Sequence, residues 1–178
     1  MKKLIKNLTI ILLVAGLCSC TSEKEPEWNN PFYPVFGPAI TLNPIEIQVQ
    51  VSTTFKVAVR FEEVLDVIGL HADIQYDTLD LKLLDARVMT AGEDLLISTN
   101  AEILSFFTYL SGQIIIDLGI AQGEPQGISG SGDVIQLEFE ALLPGETYLT
   151  FGGGCRLTDQ DLNEIPIFQT RGGVVYVK

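Results

Sequence analysis

From residue 45 onward the sequence predicts an all-β sandwich or barrel. Three observations carry this. Apolar and polar residues alternate over short runs; Gly, Pro, Asp and Asn separate those runs; and no stretch shows a long helical period. Alternation with period two buries one face of a strand and leaves the other in water.

The chain has 178 residues, and its start reads as something other than the fold. "MKKLIKNLTIILLVAGLCSC" opens with Lys2, Lys3 and Lys6 and continues into an apolar run over 8–17, broken by Thr9. The run is shorter than the roughly 20 residues a membrane span needs, and its layout is that of a secretory signal, residues 1–19. The ending "LCSC" fits a bacterial lipobox, with Leu17 at −3, Ser19 at −1 and Cys20 as the lipidated residue. The expectation is a lipoprotein held to the membrane only by N-terminal acyl chains. Thr21 after Cys20, in place of Asp, points to the outer membrane of the cell envelope.

Residues 20–44 then read as a lipidated cysteine and a Pro-rich tether. Pro26, Pro31, Pro34, Pro38 and Pro44 are five of the eight prolines, and proline removes a donor and restrains its neighbour. Trp28, Phe32, Tyr33 and Phe36 raise the expectation that part of this segment packs on a surface.

The domain proper is expected over 45–178. In "IEIQVQV", Ile45, Ile47, Val49 and Val51 alternate with Glu46, Gln48 and Gln50. In "FKVAVRF", Phe55, Val57, Val59 and Phe61 do the same, with "VSTTF" as a turn or bend between the two runs. Further strands are expected over 79–88, 103–110, 113–121, 134–142, 147–151 and 173–177. "AGEDLLISTNAEIL" has room for one short helical turn.

With 11 basic against 23 acidic residues, nucleic acid and anionic headgroups are unsuitable partners. Loss of the signal makes the balance more acidic still. Cys18 leaves with the signal and Cys20 takes lipid, so Cys155 is expected to be a free thiol in the folded part.

Chemistry is scarce. The one histidine, His71, lies in "VIGLHADIQYD", where Leu70, Ala72, Ile74 and Tyr76 fall on one face and Gly69, His71, Asp73, Gln75 and Asp77 on the other. A zinc site wants three or four ligands, and no G-x-S-x-G nucleophile elbow is present; "GISGSG" lacks its spacing. "TDQDLNE" places Asp159, Asp161 and Asn163 as in the start of a calcium loop, but Glu164 and Thr170 stand where Gly and a bidentate carboxylate are required. These three are weak metal candidates, and a polar turn between the last strands is the favoured reading. No cofactor and no catalytic residue is expected, and an enzyme is the least favoured class. Exposed rings among Phe106, Phe107, Tyr109 and Tyr148 would serve a sugar or a protein partner.

"VIGLHADIQYDTLDLKLLDARVMTAGEDLL" resembles the third and fourth strands of a cohesin domain, with Tyr76, Asp77 and Thr78 at its "YDP" position. "SGSGDVIQLEFEALLPGETYLTF" resembles the later glycine-led strands, and "RLTDQDLNEIPIFQTRGGVVYVK" the ending, an acidic turn, a strand and "GG-x-(V/I)-x-V". The match runs in order over 45–178. It implies a nine-stranded jelly-roll β-sandwich without catalytic residues, which docks a protein partner of dockerin type through one sheet face and is linked in that way to polysaccharide degradation. The face would carry Gly69, His71, Asp73 and Gln75, with Tyr109 and Gln113 from neighbouring strands. Gly69 and His71 stand where cohesins of the best-known type carry Asn or Asp. The wider superfamily includes cellulose-binding modules, so a carbohydrate-binding accessory protein remains the alternative, beside a structural subunit of an envelope assembly.

Overall fold

A computed structural model describes residues 37–89, 102–121 and 127–178. Cys20, Trp28 and the lipobox lie outside these residues, as does most of the segment expected to hold a helical turn. Every regular element described is a strand. In chain order they are β1 (Ala39–Asn43), β2 (Glu46–Val49), β3 (Thr54–Gln75), β4 (Leu81–Val88), β5 (Glu102–Leu110), β6 (Gln113–Ala121), β7 (Ile128–Ala141), β8 (Gly145–Phe151), β9 (Arg156–Asp159), β10 (Glu164–Ile165), β11 (Gln169–Arg171) and β12 (Gly173–Val177). The described residues therefore hold twelve strands, several very short, where nine were expected.

The strands form the two layers of a jelly-roll sandwich. In one, β11, β1, the first half of β3, β7 and β4 lie side by side. In the other, β5, β6, the second half of β3, then β8 and β9 lie side by side. β12 and β2 extend this layer beyond β8, and β10 extends it beyond β9. The core between them is apolar: Phe61, Leu137, Phe139, Leu81, Ile74, Ile114, Ile116, Leu149 and Leu157 are all fully buried. Burying a side chain of this size contributes about 1.5–3 kcal/mol.

The sheet begins at Ala39, ahead of the boundary at 45 that the prolines suggested. Ala39, Ile40, Thr41 and Leu42 are all buried, so β1 is covered on both sides and shows no alternation. Pro38 and Pro44 bracket it without entering the ladder. At the end of β1, Asn43 Nδ2 donates to both oxygens of Asp133 at 3.2 and 3.0 Å, and Arg60 reaches one of them at 3.1 Å. These bonds satisfy a carboxylate that is nearly buried.

β3 joins two runs that periodicity separates. Between them its inward residues are Phe61, Val64, Val67 and Leu70, each three apart. Register shifts fall between Phe61 and Val64 and between Val64 and Val67, so each step spends one extra residue as a bulge. Glu63 and Asp66 take positive φ, 50° and 53°. Their N–H groups turn out of the ladder and donate to Ser131 Oγ at 2.8 Å and Ser129 Oγ at 2.9 Å on β7. The alternating Ser and Gly of "SGSG" thus serve the bend of β3: hydroxyls receive the displaced donors, and Gly130 and Gly132 sit opposite Val64 and Phe61. Replacing Ser129 and Ser131 together by alanine should lower unfolding free energy by about 1–2 kcal/mol in a urea titration, because two donors lose their acceptors. An unchanged midpoint would show that water replaces both hydroxyls at no loss.

Candidate functional site

The outer face of the second layer is built by register. Leu70, Ala72 and Ile74 of β3 point into the core, so Gly69, His71, Asp73 and Gln75 point out. β6 pairs with β3 as His71↔Asp117, Gly69↔Gly119 and Gln75↔Gln113. β5 pairs with β6 as Phe106↔Asp117, Leu104↔Gly119 and Leu110↔Gln113. On the other edge of β3, Arg156 and Thr158 of β9 stand opposite His71 and Gly69, and Thr150 of β8 opposite Gln75. Paired residues share a face, so one row across four strands reads Phe106, Asp117, His71, Arg156.

Two polar contacts order the centre of this face. His71 Nδ1 lies 2.6 Å from Asp117 Oδ1. Gln113 Nε2 donates to Asp73 Oδ1 at 2.8 Å. A Cβ on Gly152 would lie 2.2 Å from Asp73 Oδ2, so glycine there leaves room for the Asp73 carboxylate, and the Gly152 N–H donates to the Asp73 carbonyl at 2.8 Å.

Five of the six residues expected on the face, Gly69, His71, Asp73, Gln75 and Gln113, are brought together there. Tyr109 is not among them. It pairs with Ile114, which is buried, and so takes the register of the inner side while its ring spills out at the end of the strand. The aromatic that β5 contributes to the face is Phe106, 67% exposed. Because Phe106 and Tyr109 lie on opposite sides of the sheet, they form no common platform for a sugar.

Beside Phe106 the face dips into a groove of about 570 Å³. Its floor is the cross-strand pair Gly69 and Gly119, and its walls include Leu104, Phe106, Leu162, Arg156 and Glu164. Gly119 has no structural reason to be glycine: its φ is not in the left-handed region, and a Cβ there would meet nothing within 4 Å. A glycine inside a strand weakens it, and such positions often mark close approach by a ligand or another backbone. Sequence reading missed Gly119 and Leu104, and it placed Asp117 on a neighbouring strand without its pairing to His71. The signal available for Gly119 was a lone glycine inside the apolar run of β6.

The acidic turn after β9 is self-contained. Asp159 Oδ1 accepts the N–H groups of Asp161 at 2.9 Å and Asn163 at 2.8 Å. The Asn163 backbone donor is the foremost cause that holds the Asp159 carboxyl below the usual range; desolvation, second in size, opposes it, and the Asn163 side chain and the Asp161 N–H add to the lowering. This turn's contribution is complete above the ordinary aspartate range and fades only as pH falls through the lowered value. Among the described residues no group of three or more His, Cys, Asp or Glu is placed to hold a metal, and Asp159, Asp161 and Asn163 make a turn. Cys155 is free and partly buried; desolvation raises its thiol above the ordinary value, and its Sγ lies 3.5 Å from the Gly152 carbonyl.

No family model matches the sequence, and no curated protein does either. Solved structures do match. A non-cellulosomal cohesin from the archaeon Archaeoglobus fulgidus superposes with a TM-score of 0.61 at 20% identity, covering 79% of this chain and 90% of that one. The second type II cohesin module of the adaptor ScaA scaffoldin of Acetivibrio cellulolyticus gives 0.66 at 15%, over 79% and 91%. The cohesin in the Coh-OlpC–Doc435 type I cohesin–dockerin complex from Clostridium thermocellum gives 0.62 at 14%, over 82% and 97%. Identity this low speaks for the fold, and the fold of this chain is that of a cohesin domain.

Proposed function

We propose that this protein is a non-catalytic docking module that captures a protein partner of dockerin type through the outer face of β5, β6, β3 and β9. The observation that carries this reading is the side-chain-free notch at Gly69 and Gly119, walled by exposed Leu104, Phe106 and Leu162 and set beside the ordered His71–Asp117 pair. An apolar depression within a polar frame is the arrangement in which a few buried contacts supply most of a protein interface's affinity. Cohesin structures solved with dockerins support the class of partner. The lipobox at Cys20 supports a place on the outer membrane, anchored by lipid, with the module serving polysaccharide breakdown by holding what binds it.

The experiment is calorimetry of the full chain against the calcium-loaded dockerin-type modules of its own organism. Phe106→Ala should weaken binding by about tenfold or more. Gly119→Val should do the same by filling the notch, with an unchanged melting temperature, since a β-branched residue suits a strand. Wild-type affinity in both variants would remove the docking surface from this face. Absence of binding by every dockerin-type module would remove the partner class.

A further inference from the structure

The outer face ends in a second depression, chemically unlike the first. It has a volume of about 610 Å³ and lies over the ends of β3, β6 and β8 and the Ser111–Gly112 turn. Across its floor runs a register row, Gln113, Gln75, Thr150, on three adjacent strands. Two residues from Thr150 on the same side of β8, the Tyr148 ring stands 55% exposed. Its hydroxyl is engaged by the Glu146 carboxylate on the same strand face. That bond, foremost, raises the phenol above its ordinary value and restrains the ring.

The lining selects a class of ligand. It holds no lysine, arginine or histidine, so phosphate, sulfate and carboxylate groups find no counter-charge. Its one carboxylate, Asp77, has Oδ1 engaged with the Leu79 N–H at 2.8 Å. What remains is uncharged: carboxamides, hydroxyls and two rings, of which Tyr76 is packed against Phe139 and Tyr148 is exposed. Gln113 is held by Asp73, while the Gln75 carboxamide has no hydrogen-bond partner among the described residues. A carboxamide offers a donor and an acceptor side by side, which matches neighbouring hydroxyls of a sugar. An exposed tyrosine offers an apolar face to the C–H side of a pyranose while its polar tip stays wet. Three strands at about 4.8 Å spacing spread these groups over about 10 Å, the reach of a short oligosaccharide.

We propose that this depression is a binding site for a neutral saccharide. Tyr148 stacks under one pyranose ring, and Gln75, Gln113 and Thr150 take its hydroxyls. The site is separate in place and chemistry from the apolar notch by Phe106, with which it shares no lining residue, and it stands whether or not a dockerin-type partner exists.

The test is titration of the full chain with cello-, xylo-, manno- and malto-hexaose, followed by calorimetry and amide chemical shifts, with oligogalacturonate as the acidic counterpart. At least one neutral hexaose should bind at millimolar concentration or below, and move the amides of Gln75, Gln113, Tyr148 and Thr150. Oligogalacturonate should bind more weakly. Tyr148→Ala should reduce affinity by about tenfold with the melting temperature unchanged, and Tyr148→Phe, which keeps the ring, should retain most of it. Phe106→Ala should leave saccharide binding intact, which separates this site from the docking surface. Failure of every neutral hexaose to bind, survival of full affinity in Tyr148→Ala, or its loss in Phe106→Ala would each overturn the proposal.

Discussion

Phe139→Ala should destabilise the domain by about 3–5 kcal/mol, the range for removing a buried aromatic ring. Phe139 is fully buried and lies in β7 opposite Phe55 of β3 and Leu83 of β4. Its ring stacks on Phe55 with centroids 5.7 Å apart and planes at 18°. It also meets Tyr76 edge-on, at 5.3 Å and 73°. Alanine removes both ring contacts and leaves a void that Val57 and Leu137, on strands fixed by their ladders, are poorly placed to fill. A net stability of 5–15 kcal/mol is ordinary for a domain, so the variant loses a large share of it and should unfold at a markedly lower urea concentration. Phe139→Leu, which keeps most of the volume, should lose markedly less. A loss below about 1 kcal/mol for the alanine variant would mean that the aromatic cluster is not the centre of the core.

Gly172→Ala should cost about 3 kcal/mol for one added methyl group, the upper end of the range for forced overpacking. Gly172 is the single residue between β11, in the first layer, and β12, in the second. The chain crosses between layers there, and a Cβ on Gly172 would lie 2.2 Å from the carbonyl oxygen of Leu149 and 3.2 Å from Thr150 Cα. Both are backbone atoms in β8, so no rotamer change relieves the overlap. β12 would have to part from β8 at the Gly173↔Leu149 pair. Gly119→Ala is the control: it adds the same methyl group where nothing lies within 4 Å, and its urea midpoint should stay at or above that of the wild type. Equal losses at the two positions would show that backbone freedom, not overlap, sets the effect at Gly172.

Strands that bury one face were plain in the sequence. β4, β5, β6, β8 and β12 lie within a few residues of where alternation puts them, and β7 begins earlier, in the "SGSG" stretch. β3 was divided because its two bulges move the inward set from every second residue to every third, and alternation is lost across "FEEVLDV". Only the partner strand shows why the chain tolerates this, through the hydroxyls of Ser129 and Ser131. β1 was read as tether because a strand buried on both sides has no alternation and its flanking prolines look like linker. β9, β10 and β11 are too short to carry a period.

The candidate face was legible only in part, for the same reason. His71, Asp73 and Gln75 followed from alternation within β3. Asp117 opposite His71 did not, because cross-strand register depends on the turn at Ser111–Gly112 and cannot be read along one strand. In "FFTY" the phase was undetermined: at the outer end of the layer Phe106, Tyr109 and Leu110 are all exposed, so burial does not mark which side faces in. Phe106, not Tyr109, proved to be the ring beside His71.

The length of β3 bears on when the domain can form. Its 22 residues are complete at Gln75, but they need β6, β7, β8 and β9 along most of both edges. The last of these ends at Asp159. A nascent chain therefore carries a long strand with only β1 along part of one edge until β6 to β9 have emerged, and pairings so distant in sequence close slowly. A fragment that stops short leaves an open edge that other chains can join. Closure of the second layer waits for β8 and β9, and until then the far half of β3 is an adhesive ribbon.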